Sequence, residues 1–165
     1  MMRYPKLLIL TAFTFLSITL SAQLLEQSLY VDFGPNDSSN GNATSSPDVN
    51  NTFWNNINSP SSGTNIILIN KQNQDSGFGL QVSGDMSSNG INHGGLLMPD
   101  QNLLAEFAIA TATQDYFFTT TTGRIILSSL DPGRAYSFDL FGSREHPQKR
   151  ITRYVVSGLN TTSGT

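Results

Sequence analysis

Residues 135–143 read AYSFDLFGS. In an extended chain Tyr136, Phe138 and Leu140 fall on one face, and Ser137 and Asp139 on the other. Period two with one apolar face is the pattern of a strand lying over a core. The four residues before it, Asp131-Pro132-Gly133-Arg134, suit a tight turn. Proline presets φ at about −65° at the second position, and glycine accepts a positive φ at the third. Arg124–Leu130 (RIILSSL) precedes the turn and is expected to be the antiparallel hairpin partner.

The same signature recurs along the chain. Ser28–Phe33, Thr64–Asn70, Phe78–Ser83, Tyr116–Thr121 and Ile151–Ser157 are short runs rich in aromatic and β-branched residues, bounded by Gly, Pro, Asn and Asp. With 124–130 and 135–143 they make seven expected strands. The chain therefore reads as all-β, a jelly-roll-type antiparallel β-sandwich. One segment departs from this. Asp100–Thr113 carries Leu103, Leu104, Phe107 and Thr111 at helical spacing, with Asp100 placed to cap its start after Pro99. One short helix is expected there. Asn36–Asn51 and Asn58–Gly63 read as loops, and long surface loops are uncommon unless they carry function or hold an ion.

The 165 residues make room for one domain. Arg3 and Lys6 precede an apolar run, Leu7–Leu20, that ends in small residues Ser21 and Ala22. This is the order of a secretory signal peptide, and the run is too short to span a membrane. Residues 1–22 are expected to be the signal peptide and residues 23–165 the β-sandwich. The chain contains no cysteine, so the expected exported domain has no disulfide and no lipidation site. Without Arg3 and Lys6 the formal charge moves from −3 to about −5, which leaves no electrostatic footprint for nucleic acid. Five basic residues nonetheless gather between Arg134 and Arg153.

Ile151–Ser157 has apolar residues on both faces and is expected to be a central strand. The residues after Gly158 are small or polar except Leu159, and they do not read as a neighbour for it. The sandwich is accordingly expected to be incomplete at its C-terminus.

The loop after the first strand carries the residue types of two chemistries. Gly34-Pro35-Asn36-Asp37 is similar to the G-x-N-D block of SGNH-type esterases, whose Asn helps to hold the oxyanion. Those enzymes also need a nucleophilic Ser in a G-D-S block and a base three residues after an Asp. Neither is present: Gly90 and Ser143 stand three positions before His93 and His146. The expectation is no catalysis. Asn36, Ser38, Asn40 and Gly41 loosely follow the front of an EF-hand loop, but Pro47 stands where the bidentate Glu belongs. Asp32, Asp37 and Asp48 remain candidates to hold a structural Ca²⁺ with neighbouring carbonyls. The alternative is a solvated polar loop.

Several motifs occur in a fixed order: V-D-F-G (31–34), W-N-N (54–56), D-Y-F-F (115–118), L-D-P-G-R-A-Y (130–136), F-G-S-R (141–144) and T-R-Y-V-V-S-G (152–158). In this the chain resembles the secreted galactose-binding-like, malectin-like β-sandwich modules of bacteria. The resemblance implies a non-catalytic, glycan-binding module of an exported protein, with further domains of the same polypeptide as partners. Its alternatives are an accessory domain of a secreted carbohydrate-active enzyme or esterase, or a structural spacer of a surface protein. On such a module an exposed Trp54 would stack on a sugar, with Asn55 and Asn56 bonding hydroxyls. Phe53 and Ile57 flank Trp54, and that pattern favours a core position instead. Arg144 and His146, near Glu145, Lys149 and Arg150, sit where a loop meets a strand end, a common place for a binding site. The competing reading is a charged, solubilising hairpin tip.

Overall fold

The computed structural model describes residues 27–61, 63, 65–158 and 161–164. The expected signal peptide, residues 1–22, lies outside them. Strands dominate and helix is scarce, in line with the all-β reading.

Four small sheets organise the described residues. Strands β3 (Ile66–Ile69), β4 (Asp75–Gly84) and β7 (Gly123–Ser128) form an antiparallel sheet in the order β3-β4-β7. β5 (Ser87–Asn89) pairs antiparallel with β6 (Tyr116–Phe118), and β8 (Tyr154–Ser157) with β9 (Thr161–Gly164). β1 (Tyr30–Phe33) and β2 (Trp54–Ile57) pair in parallel, Tyr30 beside Trp54 and Phe33 beside Ile57. An antiparallel sandwich alone does not foresee this pair. The long 34–53 connection carries the chain back to the same end of β1, which is what a parallel neighbour requires.

One core joins the separate sheets. Ile57 of β2, Leu68 of β3, and Leu80 and Val82 of β4 are buried together, with Val31, Phe33, Phe117 and Leu127 packed against them. Leu80 and Val82 alternate inward along β4, where they face Leu127 and Ile125 of β7. The rings of Phe33 and Phe117 meet at 5.8 Å between centroids and tie β1 to β6. Deep burial of such side chains is worth about 1.5–3 kcal/mol each.

Three expectations are corrected. Residues 135–143 form no strand, although the turn before them does form: Arg134 N donates to the Asp131 carbonyl (3.1 Å) and Gly133 N to Asp131 Oδ1 (2.8 Å). Ser129 takes a left-handed φ of 65° directly after β7, so the chain leaves the sheet before the turn. Phe138 and Leu140 are left exposed.

The expected helix over 100–113 is broken. α1 (Gln101–Leu104) and α2 (Ala110–Thr113) are separated by a 3₁₀ turn at Ala105–Phe107, with Ala105 at φ 47°. The cap is as expected, since the Asp100 side chain accepts from the Asn102 amide at 2.8 Å. Contacts at the break hold the chain in place: Tyr30 Oη donates to Glu106 Oε1 (2.9 Å), and the Phe107 ring lies 5.9 Å from that of Tyr30. Leu103, by contrast, is 80% exposed, so a regular helix would gain little cover for its apolar side.

The 151–157 run is not a central strand covered on both sides. β8 pairs with β9 as a hairpin, and Val155 is exposed. The residues of β9 are small and polar, but a ladder is built from backbone groups, which those residues supply as well as apolar ones do. Among the described residues no helix is long and apolar enough to cross a membrane.

Candidate functional site

The most unusual chemistry of the molecule surrounds Asp115, directly before β6. This carboxylate is 5% exposed, and among the described residues neither of its oxygens has a hydrogen-bond partner. Asp32 on β1 is equally buried. Its Oδ2 accepts from the Thr44 hydroxyl (2.8 Å) and amide (3.2 Å), while Oδ1 has no partner. Buried polar atoms of native proteins are almost always satisfied, so three orphaned carboxylate oxygens in one neighbourhood call for an explanation.

Local sequence explains how Asp115 comes to lie so deep. Gly34, Gly41 and Gly90 converge on it. A Cβ on Gly34 or Gly41 would run into the Asp115 carboxylate, and one on Gly90 would strike the Asn40 carbonyl. None of the three has a positive φ, so they serve close approach rather than backbone freedom. The loop after β1 closes over the site through Asp37 N and Ser38 N, which both donate to the Gly41 carbonyl (3.1 and 2.9 Å). Ile91 N pins the same loop through the Asn40 carbonyl (2.7 Å).

Electrostatics follow from this burial. Desolvation pushes the Asp32 carboxyl up to about 6, against the pull of its Thr44 bonds. Desolvation and then the charge of Asp32 push Asp115 up to about 8. The Asn42 amide draws Asp115 back somewhat without making a hydrogen bond. Among the described residues no group of three or more His, Cys, Asp or Glu side chains is arranged to hold a metal. Any cation here would draw on backbone oxygens or water as well.

Of the three aspartates proposed from sequence, only Asp32 has an orphaned oxygen. Asp37 is exposed and closes its own loop, accepting from the Asn40 amide (2.7 Å), the Asn40 side chain (3.2 Å), and the Ser39 amide and hydroxyl (both 3.1 Å). Those bonds hold its carboxyl below the usual range. Asp48 has both oxygens occupied: Oδ1 takes the Asn50 and Thr52 amides (2.8 and 2.9 Å), and Oδ2 takes the indole N–H of Trp54 (2.9 Å). Burial works against ionisation there, but these three bonds outweigh it and hold the carboxyl low. Asn36 Oδ1 accepts from Ala43 N (3.2 Å), so the G-x-N-D block is a self-bonded turn.

The W-N-N triplet faces inward. Trp54 is 4% exposed and packs against Tyr30, with ring centroids 5.2 Å apart. It offers no open face for a sugar. Asn55 Nδ2 donates to the Tyr30 and Ile69 carbonyls and its Oδ1 accepts from Ile69 N, each at 2.9 Å. Asn56 holds the Thr44 backbone in both directions, at 2.7 and 2.9 Å. These side chains stitch β1, β2, β3 and the loop together.

Arg144 is placed differently. Its Nε donates to the His93 carbonyl (3.1 Å), and its guanidinium lies 5.9 Å from the centre of the Tyr116 ring. Among the described residues its two terminal nitrogens bond nothing. Beside it opens a cleft of about 560 Å³, walled by Gly94–Met98 and Ile91 on one side and Ser143–Glu145 on the other. Glu145 N donates to the Gly94 carbonyl (2.7 Å) and fixes the two walls relative to each other. His146 does not line this cleft; its Nδ1 accepts from Gln148 N (3.0 Å) within its own loop.

Sequence reasoning missed Asp115 as a site residue. The signal was present in the D-Y-F-F motif. Asp115 and Phe117 stand two apart and share a face in an extended chain, and Phe117 is the residue that packs on the core. An acidic residue on the apolar face of a strand is the feature to seek.

Compared with known proteins, the chain matches no family model, no curated protein and no solved structure.

Proposed function

We propose that this is a non-catalytic binding module of an exported protein, and that its ligand is a glycan held in the cleft beside Arg144. The observation that carries this reading is the prearranged guanidinium. The His93 carbonyl fixes Nε and the Tyr116 ring supports the plane, while the terminal nitrogens stay free at the edge of an open groove. A fixed planar fork suits a uronate carboxylate or a pair of sugar hydroxyls. The apolar wall of Leu96, Leu97 and Met98 suits the C–H face of a pyranose. The absence of catalysis is supported by the loop after β1, where Asn36 and Asp37 bond their own loop. Trp54, Asn55 and Asn56 form part of the framework in this reading.

Gel retardation on a panel of soluble neutral and uronate-bearing polysaccharides is the test. Arg144→Ala is expected to weaken binding about 10- to 100-fold, the worth of one charged hydrogen bond. Arg144→Lys is expected not to restore it, because an ammonium has neither fork nor plane. Retention of no polysaccharide, or equal retention of wild type and Arg144→Ala, would remove the cleft from consideration.

A further inference from the structure

Asp32 and Asp115 pose a separate problem that the cleft does not touch. Three carboxylate oxygens, Asp32 Oδ1 and both of Asp115, are buried without a hydrogen-bond partner among the described residues. An orphaned buried acceptor is destabilising, and more so when it is charged. The chain has built this place with some care. Gly34 and Gly41 let the Asp115 carboxylate pack against their backbone, Gly90 does the same for the Asn40 carbonyl, and Thr44 fixes the orientation of Asp32 through its other oxygen.

Two occupants are able to relieve the charge. A proton shared between the two acids satisfies two of the three oxygens, one as donor and one as acceptor, and leaves the third orphaned. A cation held between the two carboxylates would satisfy all three. The donors are hard oxygens throughout. The surroundings are backbone, because the glycines present no side chain: the Asn40 carbonyl lies against Gly90, next to the Asp115 stem. Two carboxylates, backbone carbonyls and water make the mixed oxygen set of Ca²⁺, which accepts irregular geometry. Mg²⁺ demands a regular octahedron and keeps most of its own water.

We propose that Asp32 and Asp115 together hold one Ca²⁺-type cation, through Asp32 Oδ1 and the Asp115 carboxylate, at the junction of β1, the 36–44 loop and the start of β6. The cation locks that loop over the core. Asp115, absent from the set read out of the sequence, is its principal ligand, and Asp37 and Asp48 are not ligands. The inference is independent of the glycan reading, since neither Asp32 nor Asp115 lines the Arg144 cleft.

The experiment is a calorimetric titration of CaCl₂, with MgCl₂ in parallel, into the full chain after stripping with EDTA at pH 7.5, followed by thermal melts. One Ca²⁺ site is expected. At a hundredfold excess over Kd, Ca²⁺ should raise the melting temperature by roughly 5–10 °C, and Mg²⁺ by much less. Asp115→Asn removes a buried charge while keeping the shape. In EDTA it should melt no lower than the wild type, and it should gain nothing from Ca²⁺. Calorimetry on the wild type stands even if a variant fails to fold. No binding heat and no Ca²⁺-dependent shift in the wild type would overturn the proposal, and so would an Asp115→Asn protein that keeps the full shift.

Discussion

Gly90→Ala is expected to destabilise the domain by about 3 kcal/mol, the upper part of the range for forced overpacking, and to lower its melting temperature by roughly 6–12 °C. The new methyl would meet the Asn40 carbonyl, a backbone group that Ile91 N already holds in place. It would also press on the stem of Asp115. Gly41→Ala should cost somewhat less, about 1–3 kcal/mol, and for a different reason. The three atoms nearest its methyl would all belong to the Asp115 side chain. A double-mutant cycle separates the two cases. Asp115→Ala should return most of the loss in the Gly41→Ala background and little of it in the Gly90→Ala background. Chemical denaturation of the wild type, the three single variants and the two doubles gives the coupling. Strict additivity between Gly41→Ala and Asp115→Ala would mean that the carboxylate does not sit where it is described.

Asn55→Ala is the second large effect. The carboxamide of Asn55 makes three 2.9 Å hydrogen bonds to backbone groups, one on β1 and two on β3, from its own place on β2. β1–β2 and β3–β4–β7 are separate sheets, and this side chain bonds one to the other. Truncation leaves up to three backbone groups without a partner. At about 1–3 kcal/mol for each buried orphan, with water reaching the half-buried Ile69 side, a loss of about 3 kcal/mol is expected. Urea unfolding measures it, and native-state hydrogen exchange localises it: the Ile69 amide should move from slow to fast exchange. An unfolding free energy within about 0.5 kcal/mol of wild type, the range of an ordinary surface substitution, would contradict the role assigned to Asn55.

What the sequence disclosed was set by which forces act locally. Runs such as Ile66–Ile69 and Gly123–Ser128 were legible because side-chain period and β-branching are properties of a few adjacent residues. The run 135–143 carried the cleanest alternation and still forms no strand. Its pattern was a statement about one face, whereas strand formation also needs a partner edge, and the left-handed Ser129 takes the chain away from the available one. β2 and β5 were overlooked for the opposite reason. The Asn55-Asn56 centre of β2 and Ser-Ser-Asn have weak strand propensity and are held by distant partners: β1 and the Asn55 bonds for one, Tyr116–Phe118 for the other. The candidate site divides in the same way. Asp32 was within reach because it lies on a recognisable strand. Asp115 joins it only through long-range packing, in which Gly34, Gly41 and Gly90 meet from places far apart in the chain.

The central claim is that two carboxylates are buried together with three of their four oxygens unpartnered among the described residues, and the pH dependence of stability in the presence of EDTA tests it most directly. Both folded-state values lie above the ordinary one, at about 6 for Asp32 and about 8 for Asp115. The folded chain therefore binds more protons than the unfolded chain between roughly pH 4 and 8, and stability falls as pH rises through that window. Asp37 and Asp48, whose carboxyls are held low, act only below it. The account predicts that the chelated wild-type protein melts roughly 5–10 °C lower at pH 8 than at pH 5, and that Asp115→Asn removes most of the difference. A melting temperature that is flat or rises across this range in the chelated wild type would contradict it.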